Sequence, residues 1–589
     1  MSTNPLLRYT TVAMLFGVMG VVIIFKLVHV QIFPQKQELE MQEYYHLWEL
    51  RQIVPTRGEI YDRWGHLLAG NEVVYEVGVD LPSMVNPDTI ALVASGMLDW
   101  NYDEVISILD FGDGEPPFQY LMLADYISAD KVEEIQQYMA RIAENPTSGI
   151  GKGEKAHSLV GLIFRPHLSR TYPEKALASN VLGFVTREER GYFGVEQHYN
   201  DLLAGVKKSV WVSKDPNMAA ENPETPQGAS LVLTIDREIQ ATLEEILDKA
   251  VQESGSEGGT ILVMDPNTGE ILGMATNPRM DLNEFWRVSE FFQKDQPFNL
   301  GVQSYEPGSV FKVITMAAAL DSGTVKPDTV FVDTGSINVG GITIRNWNWG
   351  AWGPQDMTGC MQHSLNVCLA WLATEMKAGT FYDYLNAFGF GHFTGVELSG
   401  EVSGRLKLPG DGDWYEADLG TNAFGQGITA TPVQMLMAIS AVANNQGNVM
   451  VPHVVHSVIN QGRQFEIAPQ VAGTPISAKT AKTLTNMLAV SLEQEASDAL
   501  IEGYRVAGKT GTAEIATEFG YTSNLTNASF VGWGPIDDPQ FLVYVWLQKP
   551  TASPWGSVVA APVFSEVVNR LVVLMDIPPD GVRQAMVIP

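Results

Sequence analysis

Basic residues are scarce in this 589-residue chain, which carries 37 lysines and arginines against 68 aspartates and glutamates. The formal net charge of −31 argues against nucleic acid as a partner, because phosphate binding needs clustered Lys and Arg. Internal repeats and low-complexity segments are absent too. The 45% hydrophobic and 18% charged content is typical of a folded protein, and the length favours several domains.

Cysteine is rarer still, since Cys360 and Cys368 are the only two. On one continuous helix their separation would be about 12 Å, which is too long for a disulfide. A helix break between them would remove that objection. The sequence therefore leaves the redox state of both thiols open.

Long hydrophobic runs are lacking except near the N-terminus. Residues 9–25 carry no charged side chain, and residues 27–33 stay largely apolar after Lys26. A bilayer requires about 20 such residues. A cleaved signal peptide has a shorter apolar core and a small-residue cleavage site, which is not evident here. Residues 9–33 are therefore predicted to form an uncleaved transmembrane helix.

Flanking charge predicts the orientation of this helix. Arg8 and the free amino terminus precede it, and no acidic residue lies among the first eight. The positive-inside tendency then places residues 1–8 in the cytoplasm and the chain after residue 33 outside. We expect a single-pass protein of the cytoplasmic membrane with most of its mass extracytoplasmic.

The chain beyond the anchor divides into two regions. Residues 34–230 mix short strands, helices and loops, with a strand expected at 73–79, a helix at 129–142 and an exposed loop at 149–154. From residue 231 the pattern predicts strands at 231–235, 260–264, 270–275, 530–531 and 541–547, a helix capped by Asp236, a helical middle and a final helix at 559–574. This order predicts a mixed α/β fold in which an antiparallel sheet is flanked by helices.

A serine and a lysine three residues apart, Ser309 and Lys312, open an apolar helical stretch. They lie on one helix face within side-chain reach. Serine needs an adjacent base to act as a nucleophile, and a lysine shielded from water can serve. The helix N-terminus also favours a neutral amine and a developing alkoxide. By itself this spacing is weak, because many soluble helices carry it.

A second element is Ser364-Leu365-Asn366, which precedes an apolar helix. A hydroxyl and a carboxamide two residues apart can relay a proton and hold a substrate amide. Taken alone, Ser364 is more simply read as a helix N-cap.

A third element is Lys509-Thr510-Gly511-Thr512, which follows an alternating segment. Glycine inside a strand marks the close approach of another backbone or a ligand. An edge strand there can bind an extended peptide, with Lys509 and the threonine hydroxyls on its carboxylate. Taken alone, the tetrapeptide also fits a polar turn.

In this order, Ser-x-x-Lys, Ser-x-Asn and Lys-Thr-Gly form the motif set of penicillin-binding proteins and serine β-lactamases. The chain resembles a class B penicillin-binding protein, a monofunctional peptidoglycan transpeptidase. Segments that begin at Arg57, Arg170 and Gly194 resemble the three motifs of the class B pedestal. The second motif departs from the family pattern: Glu174-Lys175 replaces a usual glycine, and Ser179-Asn180 stands where a histidine is common.

The resemblance implies a domain order. Residues 1–8 would be a cytoplasmic tail, 9–33 the transmembrane helix, 34–230 an elongated α+β pedestal of the dimerisation type, 231–577 the penicillin-binding transpeptidase domain and 578–589 a C-terminal tail.

The resemblance also implies a mechanism. Ser309 would attack the carbonyl before the terminal D-alanine of a peptidoglycan stem peptide, with Lys312 as base, Ser364 as proton relay and Asn366 on the substrate amide. Lys509 would supply positive potential, and Thr510, Gly511 and Thr512 would bind the terminal carboxylate. The backbone N–H groups of Ser309 and Thr512 would hold the oxyanion. Neither a metal nor an organic cofactor is needed, and β-lactams are expected to acylate Ser309.

Partners follow from the resemblance too: stem peptides on lipid-linked or nascent glycan, the cytoplasmic membrane and a glycosyltransferase of the SEDS family. Two alternatives remain at this point. A β-lactamase or penicillin-sensing receptor shares the nucleophile pattern but needs no pedestal, and a non-catalytic cell-wall scaffold would keep the fold only. The sequence does not distinguish a septal from a side-wall role, nor does it identify the acceptor amine.

Overall fold

A computed structural model describes residues 9–29, 48–111, 118–147, 156–214, 227–292, 297–495, 498–517 and 520–587. The predicted loop at 149–154 lies outside these ranges. The helices are α1 (Tyr9–His29), α2 (Pro87–Met97), α3 (Tyr102–Leu109), α4 (Ala129–Glu144), α5 (Ser179–Leu182), α6 (Gly194–His198), α7 (Asn200–Ala204), α8 (Arg237–Ser254), α9 (Val288–Phe292), α10 (Lys312–Asp321), α11 (Met357–Gln362), α12 (Asn366–Ala387), α13 (Glu416–Asn422), α14 (Pro432–Ala443), α15 (Ala478–Gln494), α16 (Gly556–Val559), α17 (Ala561–Leu574) and α18 (Asp580–Val587).

The strands are β1 (Trp48–Ile53), β2 (Ile60–Tyr61), β3 (Leu67–Asp80), β4 (Tyr120–Ser128), β5 (Leu162–Thr171), β6 (Phe184–Val185), β7 (Gly191–Tyr192), β8 (Lys208–Ser213), β9 (Ser230–Leu233), β10 (Gly258–Met264), β11 (Ile271–Asn277), β12 (Phe331–Asp333), β13 (Ser336–Val339), β14 (Ile342–Arg345), β15 (Gly353–Gln355), β16 (Val449–Met450), β17 (Val455–Asn460), β18 (Arg463–Glu466), β19 (Val471–Gly473), β20 (Ala507–Thr517), β21 (Gly520–Gly534) and β22 (Phe541–Gln548). The mixed α/β fold class is confirmed.

The chain forms two compact units. The first comprises residues 1–56 and 205–228 and holds α1 and the antiparallel pair β1–β8. Helix α1 has 21 residues, a mean hydropathy of 2.4 and no buried residues, so its length and composition suit a membrane span. The apolar helix predicted near the N-terminus is therefore present, and residues 30–33 of that prediction lie outside the described chain.

The second unit comprises residues 57–204 and 229–589 and is built on two sheets. One has five antiparallel strands in the order β11-β10-β22-β21-β20, and its β10–β11 pair is the predicted hairpin. Helices α8 and α17 bury their apolar sides on one face of this sheet. The other face packs on the helical middle, including α10, α12, α14 and α15. Strand β20 is thus an edge strand, and it contacts the turn that carries Ser309.

The other sheet has seven strands in the order β18-β17-β9-β2-β3-β4, with β5 paired to β3. Strands β3, β4 and β5 form one layer under α2 and α4, around a separate apolar cluster that includes Val77, Ile90 and Ile135. Strand β2 pairs in parallel with β9. One continuous sheet thus links residues from either side of position 230, and the exact domain boundary there stays a prediction.

The three pedestal-like motifs meet at one buried carboxylate. Glu196 is fully buried and accepts hydrogen bonds from Arg57 Nε and Arg170 Nε, both at 2.7 Å. Arg170 also donates to the Gly58 carbonyl at 2.8 Å. Buried charges need partners, and here two guanidinium groups flank one carboxylate. The motifs therefore supply the parts of one internal ion network, each from a distant segment.

The second motif shows how its departures are accommodated. Lys175, one of the two residues that stand in place of the usual glycine, has a φ of +57°, in the left-handed region that favours glycine. Asn180 stands where a histidine is common, and its amide donates to the backbone carbonyls of Phe298 and Pro278. Ala178 in the same segment also has a positive φ, of +54°, so this motif holds two non-glycine residues in a strained conformation.

Most predicted elements are confirmed, with two corrections. Helix α4 covers the expected 129–142 segment, and Asp236 caps α8 by accepting from the N–H groups of Glu238 and Ile239 at 2.9 and 3.1 Å. The helix expected at 559–574 is not the last, because α18 follows it. Ser364 is not a helix N-cap, because α12 begins at Asn366 with Leu365 at the cap position.

Candidate active site

Ser309 lies in a 3-10 turn, Gly308–Phe311, that leads directly into α10. The turn rests on β20 at close range. Gly308 has a φ of +62°, and a Cβ there would lie 2.8 Å from the Cβ of Ala513. A Cβ on Gly511 would lie 2.9 Å from Val310 Cγ1. Glycine at these two positions therefore lets the serine turn approach the strand that carries the third motif.

Lys312 begins α10 and is fully buried. Its Nζ lies 2.7 Å from the Ser364 carbonyl oxygen, 3.0 Å from Ser364 Oγ and 2.7 Å from Asn366 Oδ1. Burial, followed by the nearby positive charge of Lys509, holds the pKa of Lys312 well below its usual value. The neutral form of this amine is thus favoured more than in an exposed lysine.

A neutral amine suits these three contacts. It has two N–H donors, which fit the Ser364 carbonyl and Asn366 Oδ1, and one lone pair, which fits the hydroxyl hydrogen of Ser364. Ser309 precedes Lys312 by three residues and is half-buried on the same side of the helix start. The amine therefore contacts the Ser364 hydroxyl directly and lies one helical turn from Ser309, so a proton can pass among these groups.

Ser364 and Asn366 lie at the break between α11 and α12. Ser364 has a φ of +51°, an unfavourable value for serine that its contacts with Lys312 offset. A disulfide joins Cys360 in α11 to Cys368 in α12, with their Cα atoms 6.1 Å apart. The helix break thus makes the bond possible and settles the question that the sequence left open. The bridge closes the segment that contains both polar residues.

Lys509 lies near the start of β20 and is only 5% exposed. Its Nζ donates to the Thr510 carbonyl at 3.1 Å. Burial lowers the pKa of Lys509 to about 8, against the opposing effect of the Glu495 carboxylate. The side chain therefore still carries positive charge near neutral pH, close to the serine turn.

Thr510 and Thr512 flank Gly511 on β20, and both are half-buried, so each is partly accessible to solvent. Thr512 Oγ1 accepts a hydrogen bond from the N–H of Gly556 at 3.1 Å. On its inner side β20 pairs with β21, from Ala507↔Trp533 onward. An extended peptide can add on the outer side, where its carboxylate would reach the hydroxyls and Lys509.

All predicted site residues are brought into one region: Ser309, Lys312, Ser364, Asn366, Lys509, Thr510, Gly511 and Thr512. Two features escaped the sequence reasoning. His363 Nδ1 lies 3.2 Å from Glu495 Oε1, which ties the Ser364 segment to the end of α15. Trp347 contacts Trp555 with ring centres 5.4 Å apart. The sequence signal for the second feature was the tryptophan-rich run at 347–352, which belongs to none of the three motifs.

Among the described residues, no group of three or more His, Cys, Asp or Glu side chains is placed to hold a metal ion.

Comparison with known proteins gives the family. Residues 259–569 match the penicillin-binding protein transpeptidase domain, and residues 52–228 match the penicillin-binding protein dimerisation domain. Stage V sporulation protein D of Bacillus subtilis is 32% identical over 530 residues, which cover 87% of this chain and 78% of the relative. A probable peptidoglycan D,D-transpeptidase, PbpC of Pseudomonas aeruginosa, is 26% identical over 98% of this chain and 97% of its own. Penicillin-binding protein 2X of Streptococcus thermophilus has the same fold, with a TM-score of 0.71 at 23% identity over 89% of this chain and 80% of its own.

Proposed function

The chain belongs to the class B penicillin-binding proteins, and on that premise we propose that it crosslinks peptidoglycan as a D,D-transpeptidase through an acyl-enzyme on Ser309. The D,D-transpeptidase activity is the one named for the Pseudomonas aeruginosa relative. The observation that carries the residue assignment is the buried Lys312 amine, one helical turn from Ser309 and within hydrogen-bond distance of Ser364 and Asn366.

Acylation begins when Ser309 Oγ attacks the carbonyl carbon that precedes the terminal D-alanine of a stem peptide. Lys312 Nζ takes the hydroxyl proton, which its lowered pKa permits because the amine is neutral beforehand. The carbon–nitrogen bond to the terminal D-alanine then breaks. The proton passes from Lys312 through Ser364 to the leaving amine, and free D-alanine departs.

Deacylation runs the same path in reverse with a different amine. The side-chain amine of a second stem attacks the acyl carbon, and Lys312 accepts its proton through Ser364. The bond to Ser309 Oγ breaks, and the serine regains a proton from Lys312. One amide bond is exchanged for another, so the reaction needs neither an external energy source nor a redox partner.

The substrate is held along the outer edge of β20. Lys509 attracts the terminal carboxylate, and Thr510 and Thr512 bind it on either side of Gly511. The N–H groups of Ser309 and Thr512 hold the oxyanion, an effect commonly worth about 2.7–4 kcal/mol. Asn366 Oδ1 accepts a hydrogen bond from Lys312. The Nδ2 group of Asn366 is the donor for backbone carbonyls, including that of Arg345 at 3.1 Å. β-Lactams, whose strained amide resembles the scissile bond, acylate the same serine and remain attached.

The proposal is tested by measuring D-alanine release from a pentapeptide donor in the presence of an acceptor amine. The unmodified protein should release D-alanine and form a crosslinked dimer. Ser309→Ala should do neither while it keeps the melting temperature of the parent. Release of D-alanine by that variant would exclude Ser309 as the nucleophile.

Of the two alternatives, a β-lactamase accounts for only part of the chain. Residues 52–228 match the dimerisation domain, which a β-lactamase does not need. Slow hydrolysis of a chromogenic cephalosporin, with the adduct surviving for many minutes, is expected here. Rapid turnover would favour the β-lactamase interpretation instead. A purely structural scaffold would show no acylation.

Membrane topology and the glycosyltransferase partner belong to the same proposal. Helix α1 would span the cytoplasmic membrane with residues 1–8 inside. Alkaline phosphatase fused after residue 228 would then lie outside the cytoplasm and should be active. A membrane glycosyltransferase of the SEDS family would bind the anchor and pedestal. Co-purification that is lost when α1 is exchanged for an unrelated membrane helix would support that contact, and no co-purification of the parent protein would contradict it.

A further inference from the structure

A loop rich in tryptophan borders the acylation site. We call residues Asn346 to Gly353 the tryptophan loop; it contains Trp347, Trp349 and Trp352. Their side chains are 49%, 77% and 36% exposed. Large apolar side chains are seldom grouped on a protein surface unless they bind something.

The tryptophan loop is anchored by buried polar groups. Asn346 and Asp333 are each only 2% exposed, and Asn346 Nδ2 donates to Asp333 Oδ2 at 2.7 Å. The same carboxylate oxygen accepts from the Trp352 N–H at 2.8 Å. Asn346 Nδ2 also donates to the Gly350 carbonyl across the loop, at 3.2 Å. The loop is therefore held in one conformation, and the exposure of its indoles does not result from loose packing.

Trp349 carries the strongest indication of function. Its φ is +60°, which is a rare backbone conformation for a bulky residue. Its ring projects into solvent with the Arg345 guanidinium 5.6 Å from its centre. A strained backbone that displays an apolar ring to water costs stability, and the one cation–π contact with Arg345 at an exposed site offsets little of that cost. Such an arrangement is retained where a ligand uses the ring.

The tryptophan loop is continuous with the catalytic groups. Asn366 Nδ2 donates to the Arg345 carbonyl at 3.1 Å, and Trp347 Nε1 donates to the His363 carbonyl at 3.2 Å. On the other side, Trp347 meets Trp555, the residue before Gly556, whose N–H bonds Thr512. The loop therefore forms part of the rim around the site, next to both the Ser364 segment and the β20 end.

The size of the exposed indole surface limits the occupant. The three exposed fractions correspond to about 400 Å² of side-chain area. A stable protein–protein interface takes roughly 800 Å² from each partner, so these rings alone are too small for one. One face of the Trp352 ring is already covered by the His363 ring, with centres 3.9 Å apart, so the remaining indole faces match those of one or two sugar rings, whose C–H groups stack on aromatic rings. Arg345 and Asn348 lie beside the indoles and can bind hydroxyl or N-acetyl groups.

The substrate geometry points the same way. In a stem peptide, three to four extended residues separate the sugar from the scissile carbonyl, which is about 10–13 Å at roughly 3.3 Å per residue. A sugar attached to a stem that lies along β20 therefore falls at the rim of the site and not over Ser309. Because the face of a pyranose ring is neutral, the net charge of −31 does not oppose its binding.

We propose that the tryptophan loop is a binding subsite for a sugar ring of the glycan strand that carries the stem peptide, with Trp349 as its main platform. The proposal rests on the transpeptidase function proposed above. It assigns the loop a role in selecting glycan-attached stems over free peptides, while the acylation chemistry stays with the residues already described.

The test compares two donors, a free pentapeptide and the same pentapeptide attached to a disaccharide of N-acetylglucosamine and N-acetylmuramic acid. Trp349→Gly is the variant of choice, because glycine relieves the positive φ and removes only the ring. We expect its KM for the disaccharide donor to rise about tenfold, with kcat and the KM for the free peptide unchanged within twofold. Trp286→Ala, which removes another exposed tryptophan on a different surface, should change neither.

A second readout does not depend on turnover. Adding the disaccharide without peptide to the unmodified protein should shift the indole N–H resonance of Trp349, and Trp349→Gly should lack only that signal. Equal loss with both donors, no loss with either, or no resonance shift would each overturn the proposal. Failure of the transpeptidase function itself would look different: the unmodified protein would release no D-alanine from either donor.

Discussion

Replacing Lys312 by methionine removes the amine and keeps a side chain of similar length in a site that is fully buried. In the parent protein the amine contacts the Ser364 carbonyl, Ser364 Oγ and Asn366 Oδ1 at 2.7–3.0 Å. The variant therefore lacks the proton acceptor for Ser309 and the group that connects it with Ser364. Acylation should suffer far more than folding.

The two effects differ in size. Loss of a general base typically slows a step by about 10²–10⁴-fold, which is about 2.7–5.5 kcal/mol in the barrier. For folding, the Ser364 carbonyl and Asn366 Oδ1 lose a donor and the Ser364 hydroxyl loses an acceptor, and each unsatisfied buried group costs about 1–3 kcal/mol. This loss is offset because an amine no longer has to be buried, a cost of about 2–7 kcal/mol. The net change in unfolding free energy should stay within about 2 kcal/mol, which leaves at least about 99% of a typical domain folded.

The assay measures the second-order rate of labelling by a fluorescent penicillin, together with the melting temperature. Lys326→Met, which alters an exposed lysine, is the matched control and should label at the parent rate. A fall of at least 100-fold for Lys312→Met with a melting temperature within a few degrees is expected. Labelling at the parent rate would refute Lys312 as the base and move that role to another residue.

Three further predictions concern the surroundings of the site. Glu196→Gln leaves the buried guanidinium groups of Arg57 and Arg170 without their counter-charge and should lower the unfolding free energy by about 3–5 kcal/mol in urea denaturation; a change below about 1 kcal/mol would contradict the account of this network. Replacing Cys360 and Cys368 together by serine opens a loop of about nine residues and should cost about 2.5 kcal/mol, and it should also slow penicillin labelling because the loop holds Ser364; unchanged labelling would show that the bridge does not position the serine. Lys509 has a pKa of about 8 in the folded protein, so its charge is present at neutral pH and lost above pH 8. The affinity for a carboxylate-bearing β-lactam should then fall between pH 8 and 9.5. The unfolding free energy should rise over the same range, because the unfolded chain still binds the proton that the folded chain has released. In Lys509→Met the fall in affinity should disappear, and the rise in unfolding free energy should become smaller, because Lys312, whose pKa is also lowered, still contributes to it.

Local sequence patterns predicted the secondary structure around the candidate catalytic residues, while their roles came from the resemblance of the three motifs together. The Ser309–Lys312 spacing needs only the helix repeat, and the hairpin around residues 266–269 needs only its turn residues. The alternating segment before Lys509 predicted a strand, which β20 confirms. These features depend on residues close together in the sequence, and tertiary packing does not alter their secondary structure.

Long-range contacts decided the features that were missed. Ser364 was most simply a helix cap, but its contacts with Lys312, 52 residues away, hold it at positive φ instead. The disulfide depends on a helix break between Cys360 and Cys368 that no local signal marks. The exposure of Trp349 depends on the buried Asn346–Asp333 pair beneath the loop. Lys312 lies far outside the window in which sequence periodicity is read around Ser364, and the other two features depend on side-chain pairing that periodicity does not report.

The central claim is that Ser309 is the residue acylated by penicillin. Intact-protein mass spectrometry after incubation with benzylpenicillin, followed by peptide mapping, tests it most directly. The account predicts one adduct per chain, equal in mass to the intact antibiotic, on the peptide that contains Ser309, and none in Ser309→Ala. An adduct on any other residue, or a second adduct that persists in Ser309→Ala, would contradict it.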